Sequence, residues 1–155
     1  MAEVLDKADA LRQQNRQLLA QYDELLQSTF IELFGDPVKN PKGWEVKKLR
    51  EFGKIQTGNT PSRNNEEFYG DFIEWIKTDN INSESIYIEP AKEYLSEKGL
   101  KLARMVDKGA ILVTCIAGSL RSIGNVALTN RRVSFNQQIN SISQNEKTNS
   151  MFLYT

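Results

Sequence analysis

The chain changes character at the stretch Phe30-Ile31-Glu32-Leu33-Phe34-Gly35-Asp36-Pro37. Before Gly35 there is no Gly or Pro, and the residues are rich in Leu, Ala, Gln, Glu and Arg, which favour helix. After Pro37, short segments are separated by Asn-Pro, Lys-Gly, Thr-Gly and Tyr-Gly pairs, which are typical of turns. The sequence therefore predicts an α+β fold, with a long coiled-coil-type helix in residues 1–35 and a mixed domain of short strands and helices in residues 36–155.

Apolar residues recur along the N-terminal segment at coiled-coil spacing. The row repeats every seven residues, and each of its first three members is followed four residues later by a second member: Val4, Ala8, Leu11, Asn15, Leu18, Tyr22 and Leu25. A polar residue in such a row, here Asn15, can fix register and partner choice. At 1.5 Å per residue the helix would be about 50 Å long, which suits a spacer. We predict that this row contacts a partner helix; an amphipathic helix folded onto its own domain is the alternative.

Period-two patterns in the remainder predict short strands. The predicted strands cover residues 44–49, 72–77, 86–89, 110–115, 125–128, 133–135 and 139–142. Ser96 is expected to cap a short helix that runs towards Val106, and Trp75 is expected in the core. In the first predicted strand, the pattern turns Trp44, Val46 and Leu49 inwards.

Composition excludes several classes of protein. The 155 residues are enough for one modest domain and an appendage. The absence of His removes the commonest general base and zinc ligand, and the one cysteine, Cys115, lies in an apolar run and is predicted to be buried in a reducing compartment. The N-terminus has no signal-peptide pattern, and the longest uncharged run of mainly apolar character, residues 109–120, is too short to span a bilayer. We expect a soluble, cytoplasmic protein with no metal, no cofactor and no membrane partner.

The charge is balanced overall but unevenly distributed. Lys and Arg number 20, as do Asp and Glu. Residues 1–35 carry six acidic and three basic side chains, so the remainder has a formal excess of +3. Residues 101–132 hold six basic side chains against Asp107 alone. This basic tract is compatible with a nucleic-acid partner despite the neutral total.

Polar side chains suited to DNA occur in four segments. Residues 56–65 join hydroxyls, amides and one Arg, residues 77–80 follow a predicted strand, residues 117–124 form a Gly-bracketed loop, and residues 136–138 are consecutive amides. Such groups bond phosphate oxygens, and Arg, Asn and Gln also read base edges, although each segment has a plain interpretation as a turn. The candidate DNA-binding residues are Thr57, Asn59, Thr60, Ser62, Arg63, Lys77, Asn80, Arg121 and Gln137.

One pattern resembles the metal-binding acids of nucleases. Asp36 is followed by Glu45-Val46-Lys47, which could place carboxylates and a lysine beside Mg²⁺. The spacing is short, and an exposed strand face explains Glu45 and Lys47 better. There is no Gly-x-Gly-x-x-Gly, no P-loop ending and no Asn-Pro-Pro-aromatic tetrapeptide. We predict no catalytic residue in this chain.

Several motifs in order resemble one family. They begin with the stretch in residues 30–37 and continue with Asn40-Pro41-Lys42-Gly43-Trp44-Glu45-Val46-Lys47-Lys48-Leu49, Thr57-Gly58-Asn59-Thr60-Pro61-Ser62, Trp75-Ile76-Lys77-Thr78-Asp79-Asn80, Lys108-Gly109-Ala110-Ile111-Leu112-Val113, Ile123-Gly124-Asn125-Val126-Ala127-Leu128 and Asn136-Gln137-Gln138-Ile139. Together they cover nearly the whole chain. The set resembles the specificity (S) subunit of Type I restriction-modification systems.

The resemblance implies a function. In that family, paired conserved helices hold two recognition domains apart, and each domain reads half of a split DNA target. The chain would then be a non-catalytic specificity module that binds double-stranded DNA, pairs its helix with another S-type helix and assembles with methyltransferase (M) and restriction (R) subunits.

Two departures from the family pattern leave an alternative open. Ser119-Leu120-Arg121-Ser122 makes the loop before Ile123 longer than expected, and the sequence stops at Thr155, where the family continues through the recognition domain. We therefore expect an incomplete recognition domain. The alternative is a truncated interaction fragment that pairs through its helix with S or M subunits and binds no DNA.

Overall fold

The computed structural model describes residues 2–83 and 85–155, so Met1 of the predicted spacer lies outside the described residues. A long helix precedes a strand-rich region with short helices, which confirms the predicted α+β class. The chain divides into two compact units, Met1–Val46 and Lys47–Thr155. The division of roles between residues 1–35 and 36–155 stays a prediction. None of the helices in the described ranges combines the length and apolar character needed to cross a bilayer.

The first unit is dominated by helix α1, Ala2–Phe34. The helix is continuous for 33 residues, because no residue within it breaks the backbone hydrogen bonding. Its apolar side chains lie on the surface, with Leu18 45% and Val4 70% exposed. Exposed ion pairs, such as Lys7 with Glu3 at 3.1 Å, lie on its polar faces. The helix therefore buries little apolar surface within this chain.

Helix α1 ends at a glycine and is capped by two side chains. Gly35 follows with φ +84°, a conformation that favours glycine. The Trp44 Nε1–H group donates to the Phe34 carbonyl at 2.7 Å, and Lys42 Nζ donates to the carbonyls of the two preceding residues, also at 2.7 Å. These bonds satisfy carbonyls that the helix end leaves without partners. The predicted strand in residues 44–49 is wrong, because Trp44 is used as a cap.

Within the described residues, nine strands and two short helices form the second unit. The strands are β1 Gly53–Thr57, β2 Tyr69–Gly70, β3 Ile73–Ile76, β4 Tyr94–Leu95, β5 Met105–Val106, β6 Ile111–Thr114, β7 Val126–Leu128, β8 Val133–Phe135 and β9 Ile139–Gln144. The helices are α2 Glu97–Leu100 and α3 Ser150–Tyr154. Single 3-10 turns cover Leu49–Glu51, Glu66–Phe68, Thr78–Asn80 and Leu120–Ser122.

The strands form two sheets. The first sheet is antiparallel with the order β1-β9-β6-β7, and Ile55 pairs with Ile142 between its first two strands. The second sheet has the order β2-β4-β3-β8-β5, in which β3 and β8 run parallel with Ile76 opposite Phe135. The other strand pairs of this sheet are antiparallel. The sheet is therefore mixed.

The main core lies between the two sheets. Ile76 and Phe135 of the second sheet are fully buried with Leu112 and Ile139 of the first sheet. Alternate residues of the same strands are buried on the outer faces: Trp75 is packed with Leu95 beneath α2, and a third cluster holds Ile111, Leu128, Ile142 and side chains of α3. The strands β3, β6 and β8 are buried on both faces, which explains their nearly continuous apolar sequences. The prediction that Trp75 belongs to the core is confirmed, since it is 2% exposed.

Much of the basic tract in residues 101–132 stabilises the fold. Arg131 forms a forked ion pair with Glu74, with Nη2 to Oε1 at 2.7 Å. Arg132 pairs with Asp107, and the Arg104 guanidinium donates to a backbone carbonyl. Three of the six cations are thus engaged within the fold. Fewer positive charges are therefore available to bind a partner than the sequence of this tract suggests.

Other predictions need correction. In residues 86–89 only Tyr87 makes a β-bridge, with Leu128, so the predicted strand is wrong. Ser96 does cap a helix by accepting the Gly99 N–H at 3.1 Å, but α2 ends at Leu100, well before Val106. Cys115 is exposed, because β6 ends one residue earlier and the chain turns into a loop. Trp44, Val46 and Leu49, predicted to face inwards, are exposed.

Candidate nucleic-acid interface

Four loops leave the second unit at the same edge. Thr57 at the end of β1 pairs with Asn140 near the start of β9, and Thr114 at the end of β6 pairs with Ile139. Ile76 and Phe135, the last residues of the parallel strands β3 and β8, are also opposite each other. Residues 57–63, 77–80, 115–125 and 136–138 therefore emerge together. We call these four segments the loop edge; they contain all nine predicted DNA-binding residues.

The first segment, residues 57–63, is fixed to the strands beside it. The Gly58 N–H donates to the Ile139 carbonyl at 2.9 Å. A Cβ on Gly58 would lie 2.1 Å from the Asn136 carbonyl oxygen, so only glycine allows this close approach. The Thr60 hydroxyl bonds the Gln137 side chain. Thr60 and Gln137, two predicted DNA-binding residues that are 77 residues apart in sequence, are thus adjacent.

Asn59 uses its side chain to position this segment. Its Nδ2 group donates to the Leu102 carbonyl, and its Oδ1 atom accepts the Arg104 N–H at 2.8 Å. Its backbone carbonyl accepts the Trp75 Nε1–H at 3.3 Å. Both ends of the amide are engaged by backbone groups, so Asn59 holds the loop in place.

Arg63 and Lys77 meet around one carboxylate. Arg63 Nη2 lies 2.7 Å from Oε2 of Glu93, and Lys77 Nζ donates to Oε1 of the same residue. The Arg63 contact is close but is not aligned as a hydrogen bond, since the buried Oε2 atom has no aligned donor. The Arg63 guanidinium lies 4.6 Å from the Tyr69 ring centre and 4.9 Å from that of Trp75. Lys77 lies over the same indole at 5.3 Å.

This cluster changes the acidity of its members. The hydrogen bond from Lys77, together with the charge of Arg63, holds the pKa of the Glu93 carboxyl below its ordinary value. Burial raises the pKa of the Tyr69 hydroxyl, which donates to the Pro61 carbonyl at 2.7 Å. Glu93 is therefore ionised and Tyr69 is neutral at neutral pH.

Asn80 is buried at the end of the second segment. Its Oδ1 atom accepts the Lys77 N–H at 2.9 Å, and its Nδ2 group donates to the Pro90 carbonyl at 2.9 Å. The side chain closes the 3-10 turn that follows β3. A polar cleft of about 240 Å³ opens beside it and is lined by Trp75, Lys77, Asp79, Asn80, Lys92 and Glu93.

The amide segment forms a tight turn that presents one side chain. The Ile139 N–H donates to the Asn136 carbonyl at 3.2 Å, and the Gln138 N–H donates to Asn136 Oδ1 at 3.1 Å. Asn136 and Gln138 are thus turn residues, which agrees with the interpretation of this segment as a turn. Gln137, between them, is exposed.

Arg121 lies in the long loop of the β6–β7 hairpin. The N–H groups of Cys115 and Ile116 donate to the Gln138 carbonyl at 2.8 and 3.1 Å, which fixes the base of the hairpin loop beside the amide turn. Arg121 is in the 3-10 turn farther along this loop and is exposed, as is Leu120. The contacts place the base of the loop, and not its tip, against the other segments.

Two hydroxyl residues of the first segment face solvent. Thr57 and Ser62 are exposed, like Thr60 and Arg63. The exposed members among the predicted DNA-binding residues are thus Thr57, Thr60, Ser62, Arg63, Arg121 and Gln137, and Lys77 is partly exposed.

The nuclease-like pattern has a structural explanation. The N–H groups of Lys39 and Val38 donate to Asp36 and hold the pKa of its carboxyl below the ordinary value, as in a capped turn. No group of three or more His, Cys, Asp or Glu side chains that could hold a metal ion occurs among the residues described.

Comparison with known proteins identifies the family. Residues 41–155 match the family described as the Type I restriction modification DNA specificity domain. The chain belongs to this family. It is 36% identical over 116 residues to the specificity subunit of the Type I restriction enzyme HindI of Haemophilus influenzae, and 35% identical over 119 residues to that of MjaIX of Methanocaldococcus jannaschii. These alignments cover 74% and 75% of this chain but 24% and 27% of the relatives, so the chain spans about a quarter of their length.

Two solved structures share the fold of this chain. The HsdS subunit from Thermoanaerobacter tengcongensis superposes with a TM-score of 0.68 at 15% sequence identity, covering 97% of this chain and 37% of that one. A chain from a structure of a type I R-M system gives a TM-score of 0.60, also at 15% identity, and covers 98% of this chain and 39% of that one. The likeness extends over the long helix and the strand-rich unit. It confirms the predicted fold class, while the family match over residues 41–155 and the two relatives confirm the family predicted from the ordered motifs.

Sequence reasoning missed one charged residue that contacts the loop edge of this specificity domain. Glu93 lies between Lys92 and Tyr94 in a segment with no recognisable motif. It meets Arg63, thirty residues earlier, because β4 pairs with β3 and brings the preceding residues beside Trp75. The two cations were recognisable in the sequence, but the acid between them was not.

Proposed function

We propose that this chain reads one half of a bipartite double-stranded DNA target as a non-catalytic specificity subunit. The main support for this proposal is the loop edge, where four segments that are distant in sequence present hydroxyl, amide and cationic side chains together. DNA-binding proteins position themselves with phosphate contacts and obtain specificity from base edges, and this edge offers groups for both. The names of the relatives support the proposal, since both are specificity subunits.

The predicted DNA-binding residues divide into two roles in this proposal. Asn59 and Asn80, whose amides bond backbone groups, hold the loops in the shape that fits DNA. The residues proposed to contact DNA directly are Thr57, Thr60, Ser62, Arg63, Lys77, Arg121 and Gln137. Arg121, on the hairpin loop, is assigned a phosphate contact.

Catalysis and assembly belong to partners in this proposal. M subunits would methylate the target and the R subunit would cleave it, while this chain determines where they act. The exposed row on α1, from Val4 to Leu25, is the proposed contact with another S-type helix or with M subunits. Apolar side chains that cover one stripe of a long helix are stabilised when a second helix removes them from water.

The test is DNA selection by the chain assembled with M subunits. A pool of duplexes with randomised positions is bound at fixed salt, and one short half-site is expected to be enriched. The variant Arg121→Ala should weaken binding to all sequences similarly and reduce the salt dependence by about one counterion. Arg50→Ala, at the opposite end of β1 from the loop edge, is the matched control and should leave binding unchanged. Enrichment of no sequence would contradict the proposal.

The exposed row of α1 also favours the second candidate, a protein-interaction module that binds no DNA. Sedimentation of the chain with M subunits, with and without a duplex that contains the selected half-site, separates the two. A complex that forms but never includes DNA supports this candidate. A chain that remains a monomer with every partner rules it out.

A further inference from the structure

We propose that Arg63 recognises a guanine in the major groove and that Glu93 is the positioning residue that prepares it. This inference rests on the proposed DNA recognition and names the base that one residue of the loop edge reads. The argument uses the geometry of the Arg63, Tyr69, Trp75, Lys77 and Glu93 cluster.

The guanidinium of Arg63 is held in place before any ligand binds. It lies over two aromatic rings, 4.6 Å from the Tyr69 centre and 4.9 Å from the Trp75 centre. These rings are themselves fixed edge to face, with centres 6.0 Å apart and planes at 70°. The cation–π contacts with the two rings and the ion pair with Glu93 together restrain the position of the guanidinium. A side chain ordered in this way loses less conformational freedom when it binds.

The held guanidinium still has donors to offer. It carries five N–H groups in a planar fork, and the Glu93 contact at 2.7 Å involves Nη2. Arg63 also keeps 53% of its side-chain surface exposed, whereas Glu93 keeps 35%. A restrained, planar guanidinium can donate two parallel hydrogen bonds to the adjacent O6 and N7 acceptors of guanine. This bidentate contact is the commonest base-specific contact between proteins and DNA.

The Glu93 carboxylate beside Arg63 weakens the attraction of this guanidinium for a phosphate. The neighbouring cleft is lined by two lysines, Lys77 and Lys92, and by two carboxylates, those of Asp79 and Glu93. Glu93 is ionised, because Lys77 and Arg63 lower its pKa. A phosphate that approached Arg63 would meet this carboxylate, and like charges disfavour that contact. A guanine edge is uncharged and does not meet this repulsion.

Lysine can replace the positive charge of Arg63 but not its planar pair of hydrogen-bond donors. In the assembled complex, Arg63→Lys should reduce the preference for guanine at one position of the selected half-site by about 10- to 100-fold. Affinity for non-specific duplex at the same salt should change by less than threefold, because the charge is retained. Arg50→Lys, at the opposite end of β1 from the loop edge, is the matched control and should leave every base preference intact.

Glu93→Gln provides a second, independent readout. The substitution removes a negative charge next to DNA, so affinity for non-specific duplex should rise about two- to fivefold. It also releases Arg63 from its ion pair, so the guanine preference at the same position should fall. A residue that merely supported the fold would lower both quantities together.

Each outcome decides between the hypotheses. Loss of preference at one guanine in Arg63→Lys, with opposite changes in Glu93→Gln, supports the inference. Equal loss of affinity for all sequences in Arg63→Lys identifies a phosphate contact, and unchanged preferences exclude any base contact; both overturn it. If Arg63→Lys does not fold, as judged by Trp fluorescence, Glu93→Gln alone decides. If the unaltered complex selects no sequence, the proposed function fails, whereas selection without a guanine that depends on Arg63 overturns only this inference.

Discussion

Helix α1 and the strand-rich unit use apolar residues in opposite ways. In α1 the leucines of the coiled-coil row are about half to two-thirds exposed, while Phe135 and Ile76 between the two sheets are fully buried. Burial of apolar surface is the main stabilising contribution to folding, so the strand-rich unit contains its own source of stability. The helix has its apolar stripe available for a partner. The strand-rich unit is therefore stabilised by burial within the chain, whereas the exposed stripe of α1 is the proposed contact with another chain.

The ion pairs differ in the same way. On α1, Lys7 and Glu3 are more than 70% exposed, and such pairs contribute little because water screens them. In the strand-rich unit, Glu74 is 12% exposed and receives two donors of Arg131 as well as the Ala91 N–H at 2.9 Å. Removal of a partly buried partner leaves the other charge without compensation.

The largest expected effect is in the core between the sheets. Phe135→Ala removes a fully buried ring and leaves a cavity, which should cost about 3–5 kcal/mol in the free energy of unfolding. Urea unfolding followed by the fluorescence of the buried Trp75 measures this loss. Leu18→Ala on α1 should cost about 0.5 kcal/mol or less in the isolated chain. Similar losses in both variants would contradict the proposed difference between the regions.

The next effect concerns association of α1. Leu18→Asp places a charge in the exposed row and should weaken binding to a partner helix by roughly 10- to 100-fold, because the contact would bury that charge. Gln13→Asp adds the same charge on the opposite face and should leave binding unchanged. Sedimentation equilibrium with M subunits measures both. Equal weakening by both variants would show that binding depends on the net charge of the helix and not on the face that carries the added charge.

The smallest of the three effects concerns Glu74. Glu74→Gln should reduce the free energy of unfolding by about 1–2 kcal/mol at pH 7. Arg131 holds the folded pKa of this carboxyl below its ordinary value of about 4.3, so its stabilisation is present above that value and is lost as the pH falls through the folded pKa. Urea unfolding from pH 7 down to pH 3 should show the difference between the native chain and the variant shrinking.

The exposed pair on α1 is the control for this prediction. Glu3→Gln should change the free energy of unfolding by less than about 0.5 kcal/mol at any pH in the range, because the pair with Lys7 is surrounded by water. A difference at Glu74 that stays constant down to pH 3 would mean that the ion pair with Arg131 does not supply the stabilisation.

Local patterns predicted the strands that form the core. The apolar runs that contain Trp75, Leu112 and Val133 became β3, β6 and β8, with shifts of at most one residue at their ends. The same rules failed for Trp44, whose indole N–H caps α1, and for β1, whose residues Lys54 and Gln56 hide the strand pattern. They also failed for the short strands β2, β4 and β5, which exist because neighbouring strands supply hydrogen bonds. Two-residue strands leave no periodicity to detect.

The candidate site shows the same division. Thr60, Arg63 and Lys77 were recognisable as groups suited to DNA, since their chemistry is local. Their arrangement was not: Thr60 bonds Gln137, and Arg63 and Lys77 share Glu93, through contacts that join distant parts of the sequence. The amides of Asn59 and Asn80 are engaged by backbone groups, a role that residue type alone does not distinguish from DNA contact.

The sequence by itself determined the long helix, the position where it ends, the buried strands and the family. These properties follow from interactions within a few residues, namely helix propensity, the glycine after Phe34 and apolar periodicity, or from motifs in order. Only the tertiary structure decided which cations form ion pairs within the fold, which amides bond the backbone of neighbouring loops, and that Glu93 lies beside Arg63. Such outcomes depend on strand pairing between residues far apart in the chain, which brings together charges and donors that no local pattern relates.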